Sequence, residues 1–554
     1  MARKRVVLRF QWLAFLLLFA MSAPAETRKP AVAFGLNGIS DWSTQHPFID
    51  IMKTARPWIG HLPNQWGGVS FEKALSNGWI DDEGWPKFIP PEVTKLEALL
   101  LTDQSEEAAH LRGRYRVLYD GNGEIERTGR GRTVEVTPNS LTFTYDPGPG
   151  SVGIAIKQSD PDNPIRNIRV VKEEHLDAFN SGATFNPDWL ARLGTPPVLR
   201  FMDWMDTNNS GISKIEHLPR VADFTYGWRG VPLPTIISLS NQLDADPWIT
   251  LPHLADDELV AHFANTVFAS LEPERTVYVE YSNEVWNFLF EQARWAQRQA
   301  DTRWNASGDA WVQYYALRAA QVMSIWTEVF GDSAPDRLKR VVSVHTGWPG
   351  LEEAMLEGSF VGRELGEAPS NFFDAYAVTG YLGFDLEDWD RINELLEADE
   401  KKTDALGREQ GLSRVALREF IRKNRFTGIH DEVAQIIRDG SMKSLSTELW
   451  PHHARAAKSA GLDLVMYEGG THAAPTGEGL NDERLIAYLE AFNYSDEMGA
   501  LYTDLLAAWN ELTDQPFNAF VDVAAPSKWG SWGALRHLND DNPRWRALGG
   551  APPE

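Results

Sequence analysis

Tyr278-Val279-Glu280-Tyr281-Ser282-Asn283-Glu284-Val285-Trp286-Asn287 and Leu464-Val465-Met466-Tyr467-Glu468-Gly469-Gly470 decide the fold of this chain. Each is an apolar, β-prone run that breaks off at a glutamate. A buried strand has no need of a carboxylate at its carboxyl end, because an unpaired charge there costs folding free energy. The folding explanation is a carboxylate that caps the next helix for Glu284 and a salt bridge for Glu468. Both runs together point instead to a pair of acids gathered at one end of a parallel sheet.

Working outward from these runs, strand and helix patterns alternate from residue 185 onward. Strand patterns fall at 198–201, 247–251, 276–282, 340–344, 373–379, 462–467 and 517–523, and one more lies near the start, at 31–37. Helical patterns fill the intervals at 232–243, 286–330, 447–460 and 482–512, and Leu259, Phe263, Val267 and Leu271 recur at four-residue steps. Eight such units predict an α/β fold, a closed (β/α)8 TIM barrel. A helix is also expected at 46–56, and the charged stretch 384–445 reads as a helical insertion.

The texture between about 88 and 175 differs. Short alternating runs such as Arg114–Tyr119, Thr133–Thr137 and Leu141–Tyr145 are punctuated by turns such as Asp120-Gly121-Asn122-Gly123, which predicts an inserted all-β sandwich or jelly-roll domain. The expected organisation is therefore a leader at 1–25, the barrel's start at 26–87, the insert at 88–175 and the rest of the barrel at 176–554. The leader reading rests on Arg3, Lys4, Arg5 and Arg9, an apolar run from Trp12 to Met21, and Ala23-Pro24-Ala25 as a cleavage site near Ala25. It places the mature protein outside the cell or in the periplasm, with no stable membrane span after cleavage.

The composition narrows the function classes. The formal net charge is −25, which disfavours nucleic acid and anionic membranes as partners. There is no cysteine, hence no disulfide and no thiolate chemistry. No phosphate loop or dinucleotide fingerprint is present, so no cofactor is expected. Asp206-Thr207-Asn208-Asn209-Ser210-Gly211 has the spacing of the first half of a calcium loop, but His217 stands where the bidentate glutamate belongs, so no metal is expected. The chain has 22 tryptophans, and indole faces are surfaces on which sugar rings stack.

In a (β/α)8 barrel, function sits at the carboxyl ends of the strands. The expected strand ends carry Asn37; Arg200, Asp203 and Trp204; His253; Asn283 and Glu284; His345, Thr346 and Trp348; Tyr381; Glu468; and Lys528, Trp529 and Trp532. Asn-Glu after the fourth strand and Glu after the seventh resemble the clan A retaining glycoside hydrolases, a (β/α)8 group that includes cellulases, mannanases and β-glucanases. Arg200, His253, Tyr381 and the Trp529/Trp532 pair are similar to that clan's other strand-end residues. The resemblance covers about 31–55 and 185–535, without fixing a family. The runs 246–253 and 280–286 also look like bacterial secreted proteins described only as cellulose-binding proteins or hydrolases.

The resemblance implies a hydrolase of β-linked polysaccharide (β-glucan, cellulose, mannan or exopolysaccharide type) that acts within the chain by double displacement. Glu284 is then the acid/base and Glu468 the nucleophile. Asn37, Arg200, His253, Asn283, His345, Tyr381, Trp529 and Trp532 are the expected substrate-binding residues, and no metal or cofactor takes part. Tryptophans 42, 66, 204, 248, 286, 348 and 532 suggest a long substrate. Glu280, four residues before Glu284 on the same strand face, is expected to support the site, with an exchange of roles open if the strand bulges. The alternatives are a non-catalytic carbohydrate-binding protein on the same barrel and a protein partner in an exopolysaccharide assembly.

Overall fold

The structure is a computed structural model that describes residues 31–553, residue 427 excepted. The expected leader therefore lies outside the described residues. Eight parallel strands close into a barrel: β1 (Val32–Gly35), β2 (Val198–Arg200), β3 (Asp246–Leu251), β4 (Val277–Tyr281), β5 (Leu338–Ser343), β6 (Ala375–Leu382), β7 (Asp463–Thr471) and β8 (Phe517–Phe520). They neighbour one another in chain order, and β8 closes on β1 with Val32 opposite Phe517 and Gly35 opposite Phe520.

Alternation along the strands sorts their side chains into two layers. Val198, Trp248, Tyr278, Val341, Ala375, Ala377, Val465 and Tyr467 fill the barrel's interior. Leu199, Ile249, Val279, Val342, Val378 and Met466 face outward and meet the surrounding helices, among them Leu233–Leu243, Asp257–Ser270, Ala310–Phe330 and Asp496–Leu512. Buried strands of this kind are apolar on both sides, which is why they read as continuous hydrophobic runs.

The alternation fails at one place, directly before Glu468. Between β6 and β7, Val378 pairs with Met466 but Thr379 pairs with Glu468, so Tyr467 is an extra residue on β7. This bulge interrupts the two-residue period, and Tyr467 and Glu468, though consecutive, both serve the barrel's inner side. The strand then runs on to Thr471, past the expected end at 467. The glycines after Glu468 are required by packing: a Cβ on Gly469 would meet Met466 Sδ at 2.6 Å and Phe517 Cζ at 2.7 Å.

The segment between β1 and β2 forms two antiparallel sheets, one of four strands and one of five. They share an apolar cluster that includes Leu96, Leu100, Ile154 and Ile156 from one sheet and Tyr115, Val117, Phe143 and Val170 from the other. Sheet structure begins earlier than expected, because Ile59–His61 pairs with both Gly68–Val69 and Lys95–Leu100. The helix expected at 46–56 is only a short turn, Ile51–Thr54, capped by the Asp50 carboxylate. The segment is instead held by bridges from Phe48 to Phe185 and from Asp50 to Val171, which tie the sheets to the barrel. The 384–445 stretch is helical, with helices at Asp388–Glu409, Arg414–Asn424 and His430–Ile437. Among the described residues, no helix is long and apolar enough to cross a membrane.

Candidate active site

Arg200, the last residue of β2, is the hub of the barrel mouth. It is 1% exposed, and its guanidinium spans two carboxylates: Nη1 donates to Glu468 Oε1 at 2.8 Å and Nη2 to Glu280 Oε2 at 2.9 Å. Nη2 also reaches Asn283 Oδ1 at 2.8 Å. Such a fork is what a guanidinium, and not an ammonium, can supply. Glu280 is fully buried and receives a second bond from Trp248 Nε1 at 3.0 Å, so it is a fixed anchor for Arg200.

Glu468 is buried, and its other oxygen accepts from the Tyr381 hydroxyl at 2.8 Å. Burial raises its carboxyl above the ordinary carboxylate value, and Arg200 and Tyr381 oppose part of that rise. The Tyr381 hydroxyl is itself held well above its ordinary range by burial and by Glu468, so it remains a donor.

Glu284 has a different environment. It is half-buried at the mouth, and its partners are neutral: the Tyr467 hydroxyl at 3.0 Å on Oε1 and Asn287 Nδ2 at 3.0 Å on Oε2. Burial, and after it the charge of Glu468, raise its pKa to about 7. Burial thus raises both carboxyls, and they differ in their partners: Glu284 has neutral donors alone, whereas Glu468 has a guanidinium beside it that favours its charged form.

The loop that presents Glu284 is strained. Ser282 and Glu284 both have positive φ, 64° and 43°, a region that costs a non-glycine residue of order 1 kcal/mol or more. A web of amides fixes it: Asn208 Oδ1 accepts from Asn283 Nδ2 at 3.1 Å and Gln292 Nε2 at 2.7 Å, and Asn209 Oδ1 accepts the Glu291 N–H at 2.7 Å. The calcium-like run 206–211 thus uses its oxygens to buttress the β4 loop.

The expected site residues separate into those the structure gathers and those it does not. Arg200, Asn283, Tyr381 and Glu468 form one hydrogen-bonded network, with Glu284 joined to it through Tyr467, the neighbour of Glu468. Trp532 packs edge-on against Tyr381, with ring centroids 5.9 Å apart, and His345 lies 4.4 Å from Trp286. Asn37 follows β1, and its backbone N–H donates to Asp522 Oδ1 at 2.9 Å. The His253 ring, in contrast, is buried against Trp295, and burial lowers its pKa to about 4. Trp529 is 62% exposed beneath the Lys528 ammonium and touches neither glutamate. Of the tryptophans expected to face sugar, Trp204 and Trp248 are buried structural groups, whereas Trp42, Trp66 and Trp348 are exposed. A cavity of 440 Å³ lined by Met205, Ile212, Leu233 and Phe263 contains neither acid.

Sequence reasoning missed the roles of Tyr467 and Asn287, and it expected Trp248 to face sugar where the indole instead holds Glu280. Asn287, three residues after Glu284, lies within reach in a turn and was the most accessible of the three. Tyr467 was hidden, because strict alternation turns it away from Glu468. The arrangement as a whole offers a proton donor, a charged carboxylate and fixed donors around one opening. No protein-family model matches the chain, and no curated protein sequence matches it either.

Proposed function

We propose that the barrel mouth hydrolyses β-linked polysaccharide by double displacement, with Glu284 as acid/base and Glu468 as nucleophile. The observation that carries this reading is the division of labour between two carboxylates at one mouth: one raised to about 7 with neutral partners, the other held by a guanidinium and a phenol. In the first step Glu468 attacks the anomeric carbon while Glu284 protonates the departing oxygen. In the second, Glu284 takes a proton from water, which displaces Glu468 from the sugar. Arg200 and Tyr381 hold the nucleophile's two oxygens, and Asn283, fixed by Arg200 and Asn208, keeps an amide hydrogen for the sugar. Trp532 supplies a stacking face, and exposed Trp42 and Trp348, on the loops after β1 and β5, extend the surface for a longer chain. In this reading the two antiparallel sheets form an inserted β-sandwich beside the cleft, and the mature protein is secreted or periplasmic.

The test is a hydrolysis screen on β-glucan, cellulose, mannan, xylan and exopolysaccharide with the wild type and the Glu284→Gln and Glu468→Gln variants. Turnover lost in both variants is expected. Turnover that survives both changes removes the site assignment, and binding without turnover in the wild type replaces the hydrolase with a carbohydrate-binding protein. N-terminal sequencing of the mature protein tests the leader.

A further inference from the structure

Asp203 is a carboxylate at the mouth that the mechanism does not use. It stands three residues after Arg200, and its Cβ lies 3.7 Å from where a Cβ on Gly38 would stand. The backbones on either side are locked together: Trp204 Nε1 and Gln45 Nε2 donate to the Asn37 carbonyl, and Asp522 accepts the Asn37 N–H. Yet among the described residues neither the Asp203 carboxylate nor the Asn37 side-chain amide has a hydrogen-bond partner in the protein, and both are half-buried. Rigid backbones thus carry two idle polar side chains at the adjoining ends of β1 and β2.

Folding does not account for this. The charged groups that act on Asp203 are Glu468 on β7, Asp206 on its own loop, Asp522 after β8 and Arg200 on β2. Three of the four are acids, and burial together with Glu468 raises the Asp203 pKa to about 7. A carboxylate in that setting destabilises the fold whenever it ionises.

We infer that Asp203 and Asn37 form a sugar-binding wall beside Glu468, in which an oxygen of the Asp203 carboxyl accepts and the Asn37 amide donates hydrogen bonds to the hydroxyls of one bound sugar unit. The inference rests on the glycosidase reading of the mouth. A sugar diol offers both a donor and an acceptor, and so matches the acceptor and the donor that the protein itself leaves unpaired at this wall. Asp203 is a substrate-binding residue in this scheme and takes no part in proton transfer.

The experiment measures binding of gluco-, manno- and xylo-hexaose, all β-1,4-linked, by calorimetry to Glu284→Gln, and then to Glu284→Gln carrying Asp203→Ala or Asn37→Ala. The expected result is binding of at least one hexaose by Glu284→Gln and a loss of tenfold or more with either added change. A second readout is thermal stability. With a raised pKa, Asp203 stays protonated in the fold while the unfolded chain ionises, so its contribution to stability falls as pH rises from about 4 to about 7. Asp203→Asn alone should therefore raise the melting temperature at pH 8, by about 1–3 °C, and leave it unchanged at pH 4. A purely structural Asp203 would give the opposite, a lower melting temperature. Unaltered hexaose affinity, or a lowered melting temperature at pH 8, overturns the inference while leaving the glycosidase reading intact. No hexaose bound by Glu284→Gln, together with no turnover of any polysaccharide by the wild type, overturns the glycosidase reading, and the inference falls with it.

Discussion

Glu97 in the antiparallel sheets and Glu284 at the barrel mouth are both acids withdrawn from water, and they are treated differently. Glu97 is surrounded by the Lys95 ammonium at 3.3 Å, His61 Nε2 at 2.9 Å and the Thr128 hydroxyl. Glu284 has two neutral donors and no cation within bonding distance among the described residues. A fold that only needs to bury a carboxylate compensates its charge. In the proposed hydrolase, a site that needs a proton on a carboxylate withholds that compensation and accepts a raised pKa. Glu280 and Glu468 show that a cation was available nearby, since both are bonded to Arg200.

The contrast can be broken most sharply at the mouth. Glu468→Gln and Glu284→Gln should each reduce kcat/KM on the responsive polysaccharide by about 10³-fold or more, measured under first-order conditions. Glu97→Gln should leave kcat/KM within about twofold, because it lies in the sheets. Arg200→Met comes next. It strands two buried carboxylates at once, so denaturant unfolding should show a loss of about 3–5 kcal/mol, with activity abolished in whatever remains folded. Glu97→Gln, which removes the charge facing Lys95 and His61 and leaves an acceptor for only one side of the pair, should cost about 1–3 kcal/mol by the same measurement.

Titration sharpens the comparison further. The acid must be protonated to act, so kcat/KM should fall about tenfold per pH unit above about pH 7, the value to which Glu284 is raised. A carboxyl with a raised pKa favours the fold most at low pH and loses that advantage as pH rises toward its folded value, so Glu284→Gln should gain in relative melting temperature from about pH 4.5 to about pH 7. A flat alkaline limb in the wild type would mean that Glu284 is not the proton donor. The smallest effect is expected at the rim. Trp532→Ala removes the ring packed on Tyr381 and should raise KM about tenfold, worth about 1.4 kcal/mol, with a smaller change in kcat.

How much of the molecule was legible in the sequence differs by element. The barrel was, because doubly buried parallel strands leave continuous apolar runs and the helices between them keep their period. The network around Arg200 was legible as a set of strand-end residues, since strand ends in a barrel converge whatever the loops do. The segment at 46–56 was not: its apolar spacing suits a helix, but its partners at Phe185 and Val171 lie more than a hundred residues away. Trp204 and Trp248 were misassigned because an indole near a strand end looks the same in sequence whether it faces sugar or packs inside. Tyr467 was concealed by a pairing shift that only the neighbouring strand reveals.

That shift has a practical consequence for anyone who would move this chemistry to another scaffold. Copying residues by strand number and alternation would keep the phenol of Tyr467 inside with Val465 but turn Glu468 toward the helices. Glu468 would then lose Arg200 and Tyr381. The portable unit is therefore not a pair of acids but a pair of acids together with one supernumerary residue, and removing a single amino acid from β7 would part Tyr467 from Glu468 without touching either glutamate.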